Sequence, residues 1–273
     1  MTLSGLFLYP VKALRGVAVT SATLDDHGLA GDRRFLVVDE SGCFLTQRTL
    51  PRMALVATAL DTTHLTLALP GGGGSARIAR ATDPSAPLRA VSVWKSEGLL
   101  AEDCGDEAAT LLSEFLATHC RLVRIGEKFR RPILKPAAHP GDTVSFADAY
   151  PLLVISEASL ADLNDRLAAR GEEPLPMDRF RPNLVVRGGP AFAEDTWPRF
   201  RVGEITLRAG GPCARCIVTT TDQFTADRGK EPLRTLATYR RDATDPTDVN
   251  FGQNLIHETK SGTLRVGDRV TLL

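Results

Sequence analysis

The chain has 273 residues, with 33 basic side chains balanced by 33 acidic ones. Such a length buries a sizeable core and supports one large or two medium domains. The balance of charge removes any electrostatic case for nucleic acid or an anionic membrane surface as the main partner, so an anionic ligand must be held by a local cluster of Lys and Arg.

The chain enters Leu6-Phe7-Leu8-Tyr9 at once, with no basic leader and no small-residue cleavage site, and a cytoplasmic location is expected. Residues 6–11 form an apolar run ended by Pro10-Val11-Lys12. Residues 33–39 are rich in β-branched and aromatic side chains and turn through Glu40-Ser41-Gly42 into residues 43–46, predicting strands. Residues 55–59, 65–69 and 91–94 read as further strands. The glycine run 71–74 lacks the Gly-Lys-Ser/Thr ending of a phosphate loop and reads as a loop tip.

Two helices follow. Residues 106–118 place Ala109, Leu112 and Leu116, together with Ala108, Leu111 and Phe115, at three- and four-residue spacing. Residues 157–170 repeat the pattern with Leu160, Leu163 and Leu167, and Ser156 is the expected N-cap. The remainder returns to strands at 183–187, 201–207, 217–221 and 266–272, with a short helix at 232–239 that has proline in its first turn. No strand–helix alternation runs through the chain. The expected fold class is therefore mainly β with α (α+β), largely antiparallel, with helices packed outside. The composition changes near 95–120, which divides the chain into 1–120 and 121–273.

The segment Gly211-Pro212-Cys213-Ala214-Arg215-Cys216 concentrates the chemistry. Five scattered cysteines do not make a disulfide framework. Cys213 and Cys216 could form an inert buried pair. A zinc knuckle needs four ligands, and no other cysteine or paired histidine accompanies these two. A thioredoxin-type motif needs a helix after its first cysteine, whereas five β-branched residues, 217–221, predict a strand. A single thiolate ligand to an organically bound metal needs only one cysteine, an open site and nearby cations. Lys12, Arg33 and Arg181 sit beside glycine or proline turns and could supply forked donors to a phosphate or a polar heterocycle if they meet in space. Asp148 could accept hydrogen bonds from an amino-pterin ring or simply cap a turn.

Taken in order, Leu8-Tyr9-Pro10-Val11-Lys12, Gly31-Asp32-Arg33, Ser156-Glu157-Ala158-Ser159-Leu160, Phe180-Arg181-Pro182-Asn183, Cys213-Ala214-Arg215-Cys216, Phe251-Gly252-Gln253-Asn254 and the closing segment 262–268 resemble the MOSC proteins. The likeness spans the whole chain. It is to the group with an N-terminal MOSC β-barrel domain, which includes the mitochondrial amidoxime-reducing components.

The resemblance implies an N-terminal β-barrel-like domain followed by a β-rich MOSC domain, with a molybdenum cofactor (Mo-molybdopterin) between them. It implies Cys216 as the metal ligand and catalytic residue, with Cys213 a neighbour. Lys12, Arg33, Arg181 and Asn183 fall on positions that hold the pterin and its phosphate, Asp148 on a pterin contact. Arg215 is expected among the cofactor-binding residues, and Arg215 and Thr219 beside the thiolate could orient it and tune the metal. The implied activity is reduction of N-hydroxylated compounds such as amidoximes, hydroxylamines and N-hydroxylated purines, a detoxifying chemistry. No ferredoxin-type cysteine set and no targeting segment are present in the sequence. Electrons are accordingly expected from a separate donor, a flavoprotein reductase, a ferredoxin-like protein or a cytochrome b5-like protein. Neither nucleic acid nor membrane is an expected partner. A carrier of molybdenum cofactor or sulfur, without turnover, is the alternative function, and an inert β-rich binding module the third.

Overall fold

Leu152–Ser156 carries four consecutive large apolar residues behind a proline, the composition of a strand buried on both faces. In the structure, a computed structural model describing residues 1–273, it lies inside an eight-stranded sheet. The order across that sheet is Val270–Leu272, Arg199–Val202, Ile205–Ala214, Asn250–His257, Leu152–Ser156, Leu184–Arg187, Thr2–Leu8 and Val17–Ala18. Side chains alternate across a strand, so Leu152 and Val154 join a core with Leu3, Leu6, Leu184, Leu207 and Leu255. Leu153 and Ile155 face the other way, against Leu163, Leu167, Phe180 and Phe251.

Pairing in this sheet is antiparallel except between Leu152–Ser156 and Leu184–Arg187. Parallel neighbours need a long crossover, here supplied by the helix Glu157–Ala168. The Ser156 hydroxyl caps that helix, accepting from the Ser159 N–H at 3.0 Å. Fully buried Glu194 then accepts from the Ser156 N–H at 2.9 Å and the Ser159 hydroxyl at 2.7 Å. A carboxylate at a helix N-terminus suits the dipole, which makes Ser156-Glu157-Ala158-Ser159-Leu160 an anchoring motif.

Four strands, Phe35–Val38, Arg121–Arg124, Ser96–Asp103 and Leu88–Val93, form a second sheet, and Ala57–Leu60, His64–Ala68 and Ser75–Ala79 a third. Helix Asp106–Leu116 lays Ala108, Leu112 and Leu116 on a core with Val37, Met53, Leu65 and Leu122. The protein is thus mainly β with three α-helices, the last being the single turn Leu233–Leu236. No helix is long and apolar enough to cross a membrane. The first strand pairs with the middle of the chain, and a late strand pairs back near its start. Thr2–Leu8 lies between Leu184–Arg187 and Val17–Ala18, and Thr263–Arg265 pairs with Ser21–Asp25.

Several local expectations are corrected. Residues 201–207 are two strands, Arg199–Val202 and Ile205–Ala214, reversed through Gly203 at φ +55°. Residues 266–272 begin with a turn through Gly267 at φ +101°, and only Val270–Leu272 is a strand. Residues 43–46 make isolated bridges rather than a strand. Residues 217–221 are not a strand at all, as described below.

His257 is fully buried, and its Nε2 donates to the Asp25 carbonyl over 2.8 Å. Burial, reinforced by the charge of Lys260, pushes its pKa down to about 4. An unfolded chain binds the proton near pH 6.5 while the native ring refuses it until about pH 4. Stability is therefore full above pH 6.5 and falls as pH drops toward 4, by an amount on the order of 3 kcal/mol from this group. Urea denaturation of wild-type protein and His257→Gln at pH 7 and pH 4.5 is expected to show a smaller acid loss in the variant.

Candidate functional site

Two arginines meet at one aromatic ring. The turn Gly31-Asp32-Arg33 places Gly31 at φ +90° and Arg33 at φ +48°. Asp32, nearly inaccessible, accepts from the Tyr9 N–H at 2.8 Å and from Arg33 Nη1 at 2.6 Å. Arg33 Nη1 also donates to Asn183 Oδ1 at 3.0 Å. Asn183 donates to the Phe7 carbonyl, across to the first strand. Arg181 follows the 3-10 turn Met177–Phe180 at φ +55° and donates to the Leu14 carbonyl at 2.7 Å. The guanidinium carbons of Arg33 and Arg181 lie over the Tyr9 ring at 4.4 Å and 4.3 Å. Burial and the proximity of Arg33 pull the Arg181 pKa down to about 10.

Lys12 forms the next layer. Its ammonium is bound to Asp148 and donates to the Phe146 carbonyl at 2.9 Å. Burial lowers the Lys12 pKa, with Asp148 only partly offsetting it. The cleft walls disfavour charge on Asp148, but the charge and hydrogen bond of Lys12, with a 2.8 Å bond from Trp94 Nε1, hold its carboxyl well below the usual range. Asp148 still faces open space, its side chain 71% exposed. It is thus more than a turn cap.

The cysteine segment closes the site. Cys213 lies one residue before the end of the strand Ile205–Ala214, half-buried against the core of Phe180 and Phe251, and burial raises its thiol pKa. Cys216, half-buried and facing the cleft, precedes the 3-10 turn Ile217–Thr220, where a strand was expected. Hydroxyls decide this. Thr219 Oγ1 donates to the Cys216 carbonyl at 2.9 Å and Thr220 Oγ1 to the Ile217 carbonyl at 2.8 Å, bonds that make a threonine run compatible with a helical turn. Arg215 donates to the Phe251 carbonyl at 2.7 Å and the Phe180 carbonyl at 2.9 Å, tying the segment to two neighbours.

Lys12, Arg33, Asp148, Arg181, Asn183, Arg215 and Cys216, the residues singled out in the sequence, all line one cleft of about 780 Å3. Arg48, Lys135 and Arg179 line it as well, giving seven cations against two carboxylates, Asp148 and Asp248. Arg48, Lys135, Arg181 and Arg215 make no ion pair. Four cleft residues, Ala13, Arg33, Trp94 and Arg181, hold positive φ without being glycine. Strain of this kind persists where function requires a particular aim. Sequence reasoning gave no role to Tyr9, Asp32, Trp94 or Arg48; an aromatic directly before the Pro10-Val11-Lys12 turn was the available signal for Tyr9.

A Cβ on Gly16 would come within 2.3 Å of Tyr9 Cε1. Gly16→Ala is expected to displace the ring and destabilise the protein by about 1–3 kcal/mol. Tyr9→Phe keeps the stack and loses only the 3.1 Å bond to the Pro182 carbonyl, about 1 kcal/mol. Denaturant unfolding of both variants checks the order.

Residues 1–119 match the family model of the MOSC N-terminal beta barrel domain, and residues 141–271 that of the MOSC domain. The chain is 36% identical over 295 residues to mitochondrial amidoxime-reducing component 1 of Homo sapiens, spanning 100% of this chain and 83% of that protein. It is 35% identical over 296 residues to mitochondrial amidoxime reducing component 2 of Rattus norvegicus, spanning 98% and 82%. It is also 33% identical over 272 residues to a molybdenum cofactor sulfurase of Danio rerio, spanning 94% of this chain but 32% of that one. With both domain matches covering most of the cleft's walls, the chain belongs to the MOSC family, in the group whose MOSC domain follows an N-terminal MOSC β-barrel domain.

Proposed function

We propose that the protein is a molybdenum-cofactor-dependent oxidoreductase that reduces N-hydroxylated compounds, amidoximes above all. The observation that carries this is the meeting of an accessible cysteine with unneutralised cations in one cleft. The donor set fits the cofactor. No group of three or more His, Cys, Asp or Glu side chains is placed to hold a metal ion, so a metal beside Cys216 must bring its remaining ligands with it. An anionic, hydrogen-bonding organic ligand would supply those and offset the surplus of cations.

The roles follow from the contacts. Arg33 and Arg181, fixed on Tyr9, and Lys12 would bind the phosphate and the pterin edge, with Asn183 orienting Arg33. Asp148 would accept hydrogen bonds from the amino-pterin. Cys216 would be the one protein ligand to the metal and the catalytic residue. Thr219 fixes the Cys216 carbonyl, and Arg215 holds the segment to Phe180 and Phe251, so both position the thiolate through the backbone. When bound, the cofactor supplies a centre that cycles by two electrons. The overall change is amidoxime plus two electrons and two protons giving amidine plus water. Electrons come from a separate protein, a flavoprotein reductase, a ferredoxin-like or a cytochrome b5-like donor. In this proposal two domains, 1–120 and 121–273, flank the cofactor, the protein is cytoplasmic, and the reaction detoxifies N-hydroxylated bases.

Similarity to a molybdenum cofactor sulfurase over 94% of the chain favours one second function, a carrier of cofactor or sulfur without turnover. Protein made in a host that synthesises the pterin is expected to carry molybdenum and, with a chemical reductant, to convert benzamidoxime to benzamidine. Cys216→Ala should lose this by more than about 100-fold. Full activity in that variant refutes the reductase; molybdenum without turnover, but with transfer to a cofactor-free acceptor enzyme, identifies the carrier. Lys12→Ala, which strips Asp148 of its cation, should lower molybdenum content in the same preparation, read by elemental analysis.

A further inference from the structure

We infer that the indole face of Trp94 is a subsite for a flat, delocalised cation of the amidinium type, with Arg48 as its displaceable internal occupant. For its ligand class this rests on the amidoxime-reducing activity proposed above; its geometry stands independently.

Trp94 follows the strand Leu88–Val93 and lines the cleft, the residue 42% exposed. An exposed indole is normally free to turn, but this one is held from three sides. Its Nε1–H donates to Asp148 Oδ1 at 2.8 Å. Phe44 meets the ring at 4.8 Å between centroids and 64° between planes. The backbone is held at φ +54°, a conformation a bulky residue adopts only under constraint. The ring is therefore a fixed wall.

Arg48 shows what that wall accepts. Its guanidinium carbon lies 4.6 Å from the Trp94 ring centroid, and its side chain makes no ion pair and no hydrogen bond. A guanidinium over tryptophan is held by the ring quadrupole and by stacking of two planes. An amidinium has the same planar, delocalised N–C–N cation. Amidoxime reduction creates that group, since the amidine product is protonated at neutral pH where the amidoxime is neutral. The product's head group can thus replace Arg48, whose exposed arm has no hydrogen bond or ion pair to lose. Asp148, bonded to the indole Nε1–H, places a carboxylate at the edge of the same ring.

The measurement is tryptophan fluorescence of the full chain titrated with benzamidinium, compared with benzylammonium, which has equal charge but no delocalised plane. The readout is clean because the chain has two tryptophans and the other, Trp197, is only 3% exposed beside Phe200. Benzamidinium is expected to quench saturably and to bind on the order of tenfold more tightly than benzylammonium. Arg48→Ala should tighten benzamidinium binding severalfold by vacating the face, and Trp94→Leu should abolish the saturable quench. Trp94→Phe, which keeps a ring, should retain binding in equilibrium dialysis should Trp94→Leu fold poorly. Equal binding of the two cations, weaker binding in Arg48→Ala, or an unchanged quench in Trp94→Leu overturns the subsite. None of these readouts involves turnover, so failure of the reductase activity and failure of the subsite are separately visible.

Discussion

Seven cations face two carboxylates in one cleft of a chain whose total charge is zero. Like charges held this close repel, and each guanidinium turned away from bulk water loses hydration. The depressed pKa values of Arg181 and Lys12 record that burden. Much of the surrounding architecture serves to tolerate it. Asp32 neutralises Arg33, the Tyr9 ring supplies a quadrupole to two arginines, and backbone carbonyls accept from Lys12, Arg181 and Arg215. Such carbonyls satisfy hydrogen-bonding capacity without cancelling charge, which leaves a positive field for an anion entering from solvent.

That field is assembled from distant parts of the chain. Lys12 and Arg33 come from its start, Asp148 from its middle, and Arg181 and Arg215 from segments attached to the eight-stranded sheet. The sheet is what brings them together. Asn183 bonds at its backbone to Leu153, at its side chain to Phe7 and through its Oδ1 to Arg33, so one residue registers three segments. Positive φ at Ala13, Arg33, Trp94 and Arg181 marks where the chain bends against its preference to aim inward. Sites of this design place rigid side chains on strained turns between strands.

How much of this the sequence carried depends on the range of the interaction. Helix 157–168 and its Ser156 cap were legible because periodicity and capping are local. The strand class of the N-terminal third was legible for the same reason. The turn after Cys216 was not: β-branching predicts extension, and only hydroxyl bonds to carbonyls three residues back reverse the preference. Cations at turns were visible as candidates, but their convergence was legible only through family likeness, because it depends on pairings such as Thr2 with Arg187 across the chain. Tyr9 and Trp94 were visible only as an aromatic beside the Pro10-Val11-Lys12 turn and as the end of a strand, because an aromatic residue acquires its role from what stacks on it.

The placement of Thr2–Leu8 bears on how the protein is made. This strand precedes its partners in the chain by a long way: it pairs with Leu184–Arg187, and Thr2 bridges to Arg269. Contacts of such sequence separation close late, because loop entropy must be met before they form. Tyr9 and Lys12 follow that strand directly, so neither is in position until its partners have emerged. A nascent chain lacking residues 183–273 therefore has six of the seven cations, Arg215 being still to come, but no cleft, and capture of an anionic ligand is deferred until Thr2–Leu8 has met Leu184–Arg187.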